Sequence, residues 1–266
     1  MPVAHVNGIN IDYELEGEGP ETVVLISGLA DDLETWGFQL PDLLAAGLRV
    51  LRFDNRGVGK TDSPSGPYTS RLLADDAKAL VDHLDLKDVH LVGVSMGGMI
   101  SQEYALAYGS DLRSLTLACT YAAPGAFCSR MFDLWGDVAA RLGVPFLMRG
   151  VTLWAFTVPF FSDRAEEADE FDQAMADIRM PAEAYLSQLN VVTTHDAEDR
   201  VSSIDVPTLV LAGQEDILIP VSLSVRLHEL VPNSVWATVP GGHSCNWERP
   251  ASFNATLIEF IRRHAL

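Results

Sequence analysis

Residues 89–98 of the chain read Val89-His90-Leu91-Val92-Gly93-Val94-Ser95-Met96-Gly97-Gly98. An apolar run that predicts a buried strand leads directly into a Gly-x-Ser-x-Gly sequence, and residues 99–108 then predict a helix closed by a glycine. A strand, a tight turn with serine at its apex and a helix form a nucleophile elbow, in which the serine hydroxyl stands clear of the sheet. Gly93 and Gly97 lie where larger side chains would collide across so sharp a turn. We therefore predict that Ser95 is a catalytic nucleophile rather than part of an ordinary Gly/Ser turn.

The composition argues against several classes of protein. A chain of 266 residues is long enough to bury a large core and suits one domain with an elaborated insertion. Its formal net charge of −19 argues against nucleic acid and anionic membrane surfaces as partners. Cys119, Cys128 and Cys245 form an odd set without metal-ligand spacing, so we expect free thiols in a reducing compartment and no metal site.

The N-terminus and the apolar stretches favour a cytoplasmic protein without a membrane segment. Residues 1–5 lack the basic start and apolar centre of a signal peptide. The most apolar long stretch, residues 144–161, is interrupted by two prolines, an arginine and a glycine, which makes it a poor transmembrane candidate. We therefore predict a soluble, cytoplasmic chain.

Strands and helices alternate along most of the chain. Short apolar or β-branched runs predict two strands within residues 3–16, joined at an Asn-Gly turn, and further strands over 22–26, 48–53, 89–94, 114–119, 207–212 and 235–239. Amphipathic patterns predict helices over 35–46, 72–84, 99–108, 221–230 and 250–264. Alternation at this spacing indicates parallel crossovers. We therefore expect an α/β fold with a mostly parallel, eight-stranded sheet covered by helices on both faces.

The alternation lapses between residues 120 and 201, where helical patterns are broken by prolines and no buried strand is evident. We expect residues 1–120 and 202–266 to form one α/β core, and residues 121–201 to form a helical cap inserted after the sixth main strand. The cap segment is rich in aromatic residues, which suggests an apolar pocket between cap and core. The predicted substrate contacts in this segment are Phe132, Trp135, Trp154 and Phe160.

Two polar side chains follow later strands at positions where they could assist Ser95. A serine hydroxyl is a weak nucleophile at neutral pH, so it needs a base within hydrogen-bond reach and an acid that orients the base. Functional residues in open α/β sheets gather on loops at the carboxyl ends of strands. Asp216 follows the strand that ends at residue 212, and His243 follows the strand that ends at residue 239. We predict a triad of Ser95, His243 and Asp216, with Glu215 as the alternative acid.

The remaining histidines provide one further candidate. Four of them lie near the termini or in surface-type helices, and a fifth lies within the strand before Ser95. His195, beside Asp196 near the end of the cap segment, is a candidate for a substrate contact.

Five short motifs together resemble the α/β-hydrolase superfamily. They are Ser27-Gly28-Leu29, Asp54-Asn55-Arg56-Gly57-Val58-Gly59, Gly93-Val94-Ser95-Met96-Gly97-Gly98, Gly213-Gln214-Glu215-Asp216 and Gly242-His243. The order of serine, acid and histidine along the chain is also that of the superfamily. The serine and arginine motifs look most like those of small bacterial carboxylesterases, enol-lactone hydrolases and cofactor-free haloperoxidases. The resemblance implies an α/β-hydrolase fold and hydrolysis without a cofactor.

The resemblance also implies an oxyanion hole made of two backbone N–H groups. The expected donors are Met96, directly after the nucleophile, and Leu29, in the loop after an early strand. Ser27 stands where the family usually has a histidine, so we expect a different contact to brace this loop.

A second glycine-rich stretch matches a phosphate-binding loop only in part. Gly59-Lys60-Thr61 resembles the end of a P-loop, but Asp54 replaces the first glycine of that motif and no helix is predicted after Thr61. We interpret the stretch as a structural turn that Asp54 and Arg56 hold in place.

These features predict a serine hydrolase that cleaves carboxylic esters or lactones of a fairly hydrophobic small molecule through an acyl-enzyme. Haloperoxidase-like perhydrolysis uses the same triad and remains open. C–C bond hydrolysis is a weaker alternative, because residues 28–31 do not resemble the Ser-Gly-Pro-Gly loop usual in those enzymes. A slow-turnover ligand receptor is the alternative outside catalysis. The sequence indicates no cofactor and does not indicate an oligomeric state.

Overall fold

The strands of the chain form one sheet. The computed structural model describes residues 2–265. Met1 and Leu266, the first and last residues of the predicted core, lie outside the described range. The strands are β1 (Val3–Val6), β2 (Ile9–Glu16), β3 (Thr22–Ile26), β4 (Arg49–Phe53), β5 (Val89–Val94), β6 (Leu112–Ala118), β7 (Thr208–Gly213) and β8 (Val235–Val239). Their order across the sheet is β1-β2-β4-β3-β5-β6-β7-β8. The pairings β1–β2 and β2–β4 are antiparallel, and all others are parallel. The predicted eight-stranded, mostly parallel sheet is confirmed.

Eleven α-helices lie between or after these strands within residues 2–265. They are α1 (Leu40–Ala45), α2 (Ser70–His83), α3 (Met96–Tyr108), α4 (Gly125–Leu142), α5 (Val144–Ala155), α6 (Val158–Asp163), α7 (Ala165–Ala176), α8 (Ala182–Thr194), α9 (Val221–Leu230), α10 (Cys245–Glu248) and α11 (Pro250–Arg263). The helix predicted over residues 35–46 is confirmed only for residues 40–45. A short 3-10 helix, Leu33–Trp36, precedes α1, which begins beside Pro41 because proline suits the first turn of a helix but not its interior.

The central strand β5 is buried along its whole length between β3 and β6. A parallel strand with helices on both sides buries both of its faces, which explains its continuous apolar run. Leu91 packs in a cluster with Leu73 of α2 and Tyr104 of α3. Its neighbour Val92 belongs to a second cluster, on the opposite face, with Phe253 of α11. Ser95 therefore follows a strand that is packed on both faces.

Helices α4 to α8 follow one another between β6 and β7, and no strand is present in this part of the described chain. Apolar side chains of α4 and α8 join the same buried cluster as those of α2 and α3. The division into a core of residues 1–120 and 202–266 and a cap of residues 121–201 stays a prediction. Within residues 2–265, none of the helices is both long enough and apolar enough to cross a membrane.

Candidate active site

The turn from β5 to α3 holds Ser95 in an unusual backbone conformation. Its φ and ψ angles are 56° and −120°, a region that costs free energy for a residue other than glycine. The Ser95 N–H donates to Ala118 O at 2.9 Å. A Cβ atom on Gly93 would lie 2.2 Å from Gly97 O, and one on Gly97 would lie 2.1 Å from Ile26 O. The two glycines therefore permit the close backbone approach that the sharp turn requires.

Ser95, His243 and Asp216 form a hydrogen-bonded chain. His243 Nδ1 lies 2.8 Å from Asp216 Oδ2. A carboxylate can only accept, so Nδ1 carries the proton and Nε2 of the neutral ring is left as an acceptor. Ser95 Oγ lies 3.0 Å from that Nε2 atom. Asp216 Oδ1 also accepts from Ile219 N at 2.8 Å, while Glu215, the alternative acid, is exposed.

The surroundings of His243 favour its protonated form. Burial lowers the pKa of the ring, but the charge and hydrogen bond of Asp216 outweigh burial, with smaller contributions from Cys119 and Asp31. The net effect raises the pKa of His243 above its ordinary value. Asp216 would therefore stabilise the imidazolium that forms when His243 takes a proton from a hydroxyl.

The backbone N–H groups of Leu29 and Met96 are available to a ligand. Leu29 lines the same cavity as Ser95, and Met96 is the first residue of α3. Neither N–H has a hydrogen-bond acceptor within residues 2–265. The N-terminus of a helix also favours negative charge. This arrangement is what the predicted oxyanion hole requires.

Ser27 is part of a hydrogen-bond network that braces the loop carrying Leu29. Its hydroxyl accepts from Trp36 Nε1 at 3.1 Å and donates to Asp32 O at 3.1 Å. Its carbonyl accepts from Asn55 Nδ2 at 3.2 Å. The expected contact in place of the family's histidine is therefore a serine held by tryptophan and asparagine side chains.

Gln188 of α8 connects this loop to the stretch after β4. Its Oε1 accepts from Ala30 N at 3.0 Å, and its Nε2 donates to Arg56 O at 2.8 Å. The side chain is fully buried, so its hydrogen bonds are shielded from water. A residue of the cap segment thus positions the residue next to Leu29, which the sequence did not indicate.

The interpretation of residues 54–61 as a structural turn is confirmed. Asp54 accepts from Leu33 N and from Lys60 N, both at 2.8 Å. Arg56 binds Asp76 through two hydrogen bonds of 2.5 and 2.6 Å, and both side chains are buried. Asp54 therefore holds the backbone of the turn, and Asp76 holds the side chain of Arg56.

A mostly apolar cavity opens beside Ser95 and His243. Residues of the predicted core and cap both line it. The cap segment contributes Phe132, Trp135, Met148, Val151, Thr152, Ala155, Phe171, Met175, Tyr185 and Val192. The rings of Phe132 and Trp135 meet edge to face with centroids 5.4 Å apart. The structure thus brings two of the four predicted substrate contacts to the predicted nucleophile.

The other two predicted substrate contacts lie elsewhere. Trp154 faces away from the cavity, is 37% exposed and packs against Phe127. Phe160 stacks on Phe156 with ring centroids 4.2 Å apart, in a separate aromatic cluster. Neither side chain lines the cavity beside Ser95. The cavity lining does not support these two predictions, because aromatic composition does not reveal which face of a helix is turned inward.

His195 also lies away from the cavity. It is buried, with Nδ1 3.0 Å from Ser70 Oγ and Nε2 3.3 Å from Gln102 Oε1. Burial lowers the pKa of His195 to about 4. The residue links the start of α2 to α3 and does not line the cavity.

Three polar residues on the cavity were not predicted. Asp31 lies two residues after Leu29 in the same loop, Tyr185 belongs to α8, and Asn246 belongs to α10. Only Asp31 had a sequence signal, its place in the oxyanion loop. The positions of Tyr185 and Asn246 relative to Ser95 depend on how distant segments pack.

One cluster of potential metal ligands adjoins the site. Ligand atoms of Cys119, Asp216 and His243 lie within 4.8 Å of one another. The Asp216 and His243 atoms already share a hydrogen bond, so a cation would displace the proton between them. Cys119 Sγ lies 3.6 Å from Cys245 Sγ, and both are buried free thiols.

The comparisons with known proteins decide the family. A sequence profile described as alpha/beta hydrolase fold matches residues 21–250. The chain belongs to the α/β-hydrolase family. The predicted resemblance is thereby confirmed, and this α/β-hydrolase is an enzyme of the hydrolase class. Hydrolases of this family act on small molecules.

Individual relatives of this α/β-hydrolase match it over almost their whole length. It is 31% identical to a Variovorax paradoxus protein named "Putative carbamate hydrolase RutD", over 95% of this chain and 96% of that one. Among solved structures, the enol-lactonase from Burkholderia xenovorans superposes with a TM-score of 0.91 at 26% identity, covering 98% of this chain and all 100% of that one. A thermophilic esterase from Thermogutta terrifontis superposes with a TM-score of 0.87 at 26% identity, covering 97% and 95%.

Proposed function

We propose that this α/β-hydrolase is a serine hydrolase that cleaves carboxylic esters or lactones of fairly hydrophobic small molecules. The observation that carries the proposal is the hydrogen-bonded chain from Asp216 through His243 to Ser95, which ends at an apolar cavity. The similarity to an enol-lactonase and an esterase supports the choice of substrate class.

The chemistry follows from these positions. Ser95 Oγ attacks the substrate carbonyl carbon while His243 Nε2 takes its proton, and Asp216 stabilises the imidazolium. The N–H groups of Leu29 and Met96 bind the oxyanion, and each such donor typically contributes about 10²–10³-fold in rate. The C–O bond to the leaving group breaks as His243 returns the proton to that oxygen. Water, deprotonated by His243, then hydrolyses the acyl-enzyme and regenerates Ser95.

Carbamate esters are a second candidate substrate. The relative from Variovorax paradoxus carries carbamate hydrolase in its name and matches this chain nearly end to end. A carbamate ester presents the same carbonyl carbon and oxygen leaving group, with nitrogen in place of the carbon attached to the carbonyl. The mechanism above therefore applies to it without change.

Active-site labelling tests the catalytic assignment. We expect an alkyl fluorophosphonate to modify Ser95 at one site per chain, as peptide mass mapping would show, and Ser95→Ala to remain unlabelled. Folded wild-type protein labelled only at another residue would overturn the mechanism.

Steady-state kinetics test the activity. We expect multiple turnovers of p-nitrophenyl esters and of lactones, with Ser95→Ala at background rate. A single stoichiometric burst without turnover would instead indicate a ligand receptor. Product formation that depends on hydrogen peroxide would indicate perhydrolysis, and turnover of dienoic diketones but not of esters would indicate C–C hydrolysis.

A further inference from the structure

A carboxyl group lies in the wall of the cavity, close to the predicted nucleophile. Asp31 lines the cavity together with Ser95 and His243. A Cβ atom added to Gly28 would lie 2.7 Å from Asp31 Oδ2 and 3.5 Å from Ser95 Cβ. The side chains of Asp31 and Ser95 therefore both lie beside Gly28 and border the same cavity.

The surroundings of Asp31 leave its charge poorly compensated. Burial, with a smaller contribution from the neighbouring charge of Asp32, raises the pKa of this carboxyl to about 7. His243 and a hydrogen bond from the Gly28 N–H lower it by less. No lysine or arginine is among the described residues that line the cavity. Within the described cavity wall, His243 is therefore the one ionisable group that offsets the charge of Asp31, and this weakly compensated carboxylate repels a second anion and attracts hydrogen-bond donors.

Two other polar groups of the cavity lack protein partners. Tyr185 Oη and Asn246 Nδ2 are buried and have no hydrogen-bond partner within residues 2–265. Both residues line the same cavity as Asp31. Buried polar atoms are rarely left unsatisfied, so unpaired atoms on two residues that line one cavity favour a ligand with polar groups.

We infer that Asp31 is a specificity-determining residue that rejects substrates with a negative charge near the scissile carbonyl and binds a hydrogen-bond donor on uncharged or cationic ones. The inference rests on the proposed function and narrows its substrate class. Neutral esters, lactones and carbamate esters with an N–H or O–H group meet the requirement. Carboxylated esters and the carbamate anion do not.

The test compares two esters that differ in one charge. p-Nitrophenyl butyrate is neutral, whereas p-nitrophenyl hemisuccinate carries a carboxylate that stays ionised above pH 6. The measured quantity is the ratio of kcat/KM for hemisuccinate to that for butyrate, because changes common to both esters cancel. At pH 8.5, we expect Asp31→Asn to raise this ratio roughly 10- to 100-fold, the size expected for two like charges several ångströms apart in a partly dehydrated site.

Asp32→Asn is the matched control, because it removes the same charge one residue away. Asp32 is exposed and does not line the cavity, so the ratio should stay at the wild-type value. The wild-type ratio should also fall as the pH rises from 6 to 8, since Asp31 ionises in that range, and Asp31→Asn should abolish this fall. A packing role for Asp31 would not produce such a pH dependence.

The outcomes separate this inference from the proposed function. Wild-type protein that turns over neither ester nor any lactone would overturn the proposed function itself. Normal turnover of butyrate with the same ratio in wild type and Asp31→Asn would overturn the inference alone. An equal rise of the ratio in Asp31→Asn and Asp32→Asn would also overturn it, because the effect would then be that of net charge.

Discussion

Ser95 Oγ and His243 Nε2 lie 3.0 Å apart although 148 positions separate the two residues in the chain. The first residue follows the central strand β5, and the second follows the edge strand β8. Parallel strands end at the same edge of a sheet, so residues that follow different strands can meet there. The contact therefore depends on the whole sheet between the two strands, and mutations that alter its geometry should affect catalysis.

Replacing Asp216 by asparagine should remove the orientation and charge support of His243. We expect kcat on a p-nitrophenyl ester to fall by about 10⁴-fold with little change in KM, as is typical when a triad carboxylate is neutralised. Glu215→Gln is the control, because Glu215 is exposed and should leave kcat unchanged. A large loss in Glu215→Gln with normal activity in Asp216→Asn would reverse the assignment of the acid.

The raised pKa of His243 should set the pH dependence of activity. His243 must be neutral to accept the proton of Ser95, and Asp216 stabilises its protonated form. Activity should therefore rise with pH, and the half-maximal point of kcat/KM should lie above the ordinary histidine value of about 6.5. A profile of kcat/KM from pH 5 to 10, recorded with a stable neutral ester, measures this half-maximal point. A half-maximal point below 6.5 would contradict the prediction.

Gln188→Met should loosen the loop that carries Leu29 while preserving the volume of the side chain. It removes the hydrogen bonds to Ala30 N and Arg56 O. We expect kcat to fall about 10-fold with a smaller change in KM, because misplaced oxyanion donors act mainly on the transition state.

Asn190→Leu is the control for Gln188→Met. Asn190 lies on the same helix, and its amide donates to Tyr68 O at 2.8 Å instead of contacting the oxyanion loop. The substitution Asn190→Leu should lower thermal stability without lowering kcat. Equal losses of kcat in the two variants would indicate a general effect of α8.

Gly97→Ala should disrupt the turn that presents Ser95. The new methyl group would lie 2.1 Å from Ile26 O, a backbone atom that cannot move without shifting β3. We expect the free energy of unfolding to fall by about 3 kcal/mol or more. Gly150→Ala, within α5 and with nothing inside 4 Å of the added atom, should instead stabilise by about 1 kcal/mol. Urea unfolding of the variants measures both changes.

His195 should make the protein sensitive to mild acid. Its pKa is about 4 in the folded state and about 6.5 when unfolded, so the unfolded chain binds more protons between these values. Its contribution of about 3 kcal/mol is present above pH 6.5 and is lost as the pH falls towards 4. Urea unfolding at pH 7.5 and 4.5 measures how much of the free energy of unfolding is lost on acidification. This loss should be smaller for His195→Gln than for wild type. Equal losses in the two proteins would show that His195 does not cause the sensitivity to acid.

Much of the fold was predictable from local sequence. The short apolar run before Ser95 predicts a strand because a parallel strand covered on both faces is apolar throughout. Gly93 and Gly97 predict the turn because no other residue fits there. Asp216 and His243 could be placed at one edge of the sheet because their strands are parallel and each residue follows a strand end.

The sequence alone therefore determined the elbow, the order of the strands along the chain and the candidate triad, since each depends on local patterns or on rules of parallel sheets. Tertiary structure decided which cap residues meet Ser95. Phe132 and Trp154 are both aromatic and both lie on helices, yet only Phe132 reaches the cavity, because helix rotation is set by packing between distant segments. The same packing placed Gln188 against the loop that carries Leu29, a contact that no local pattern encodes.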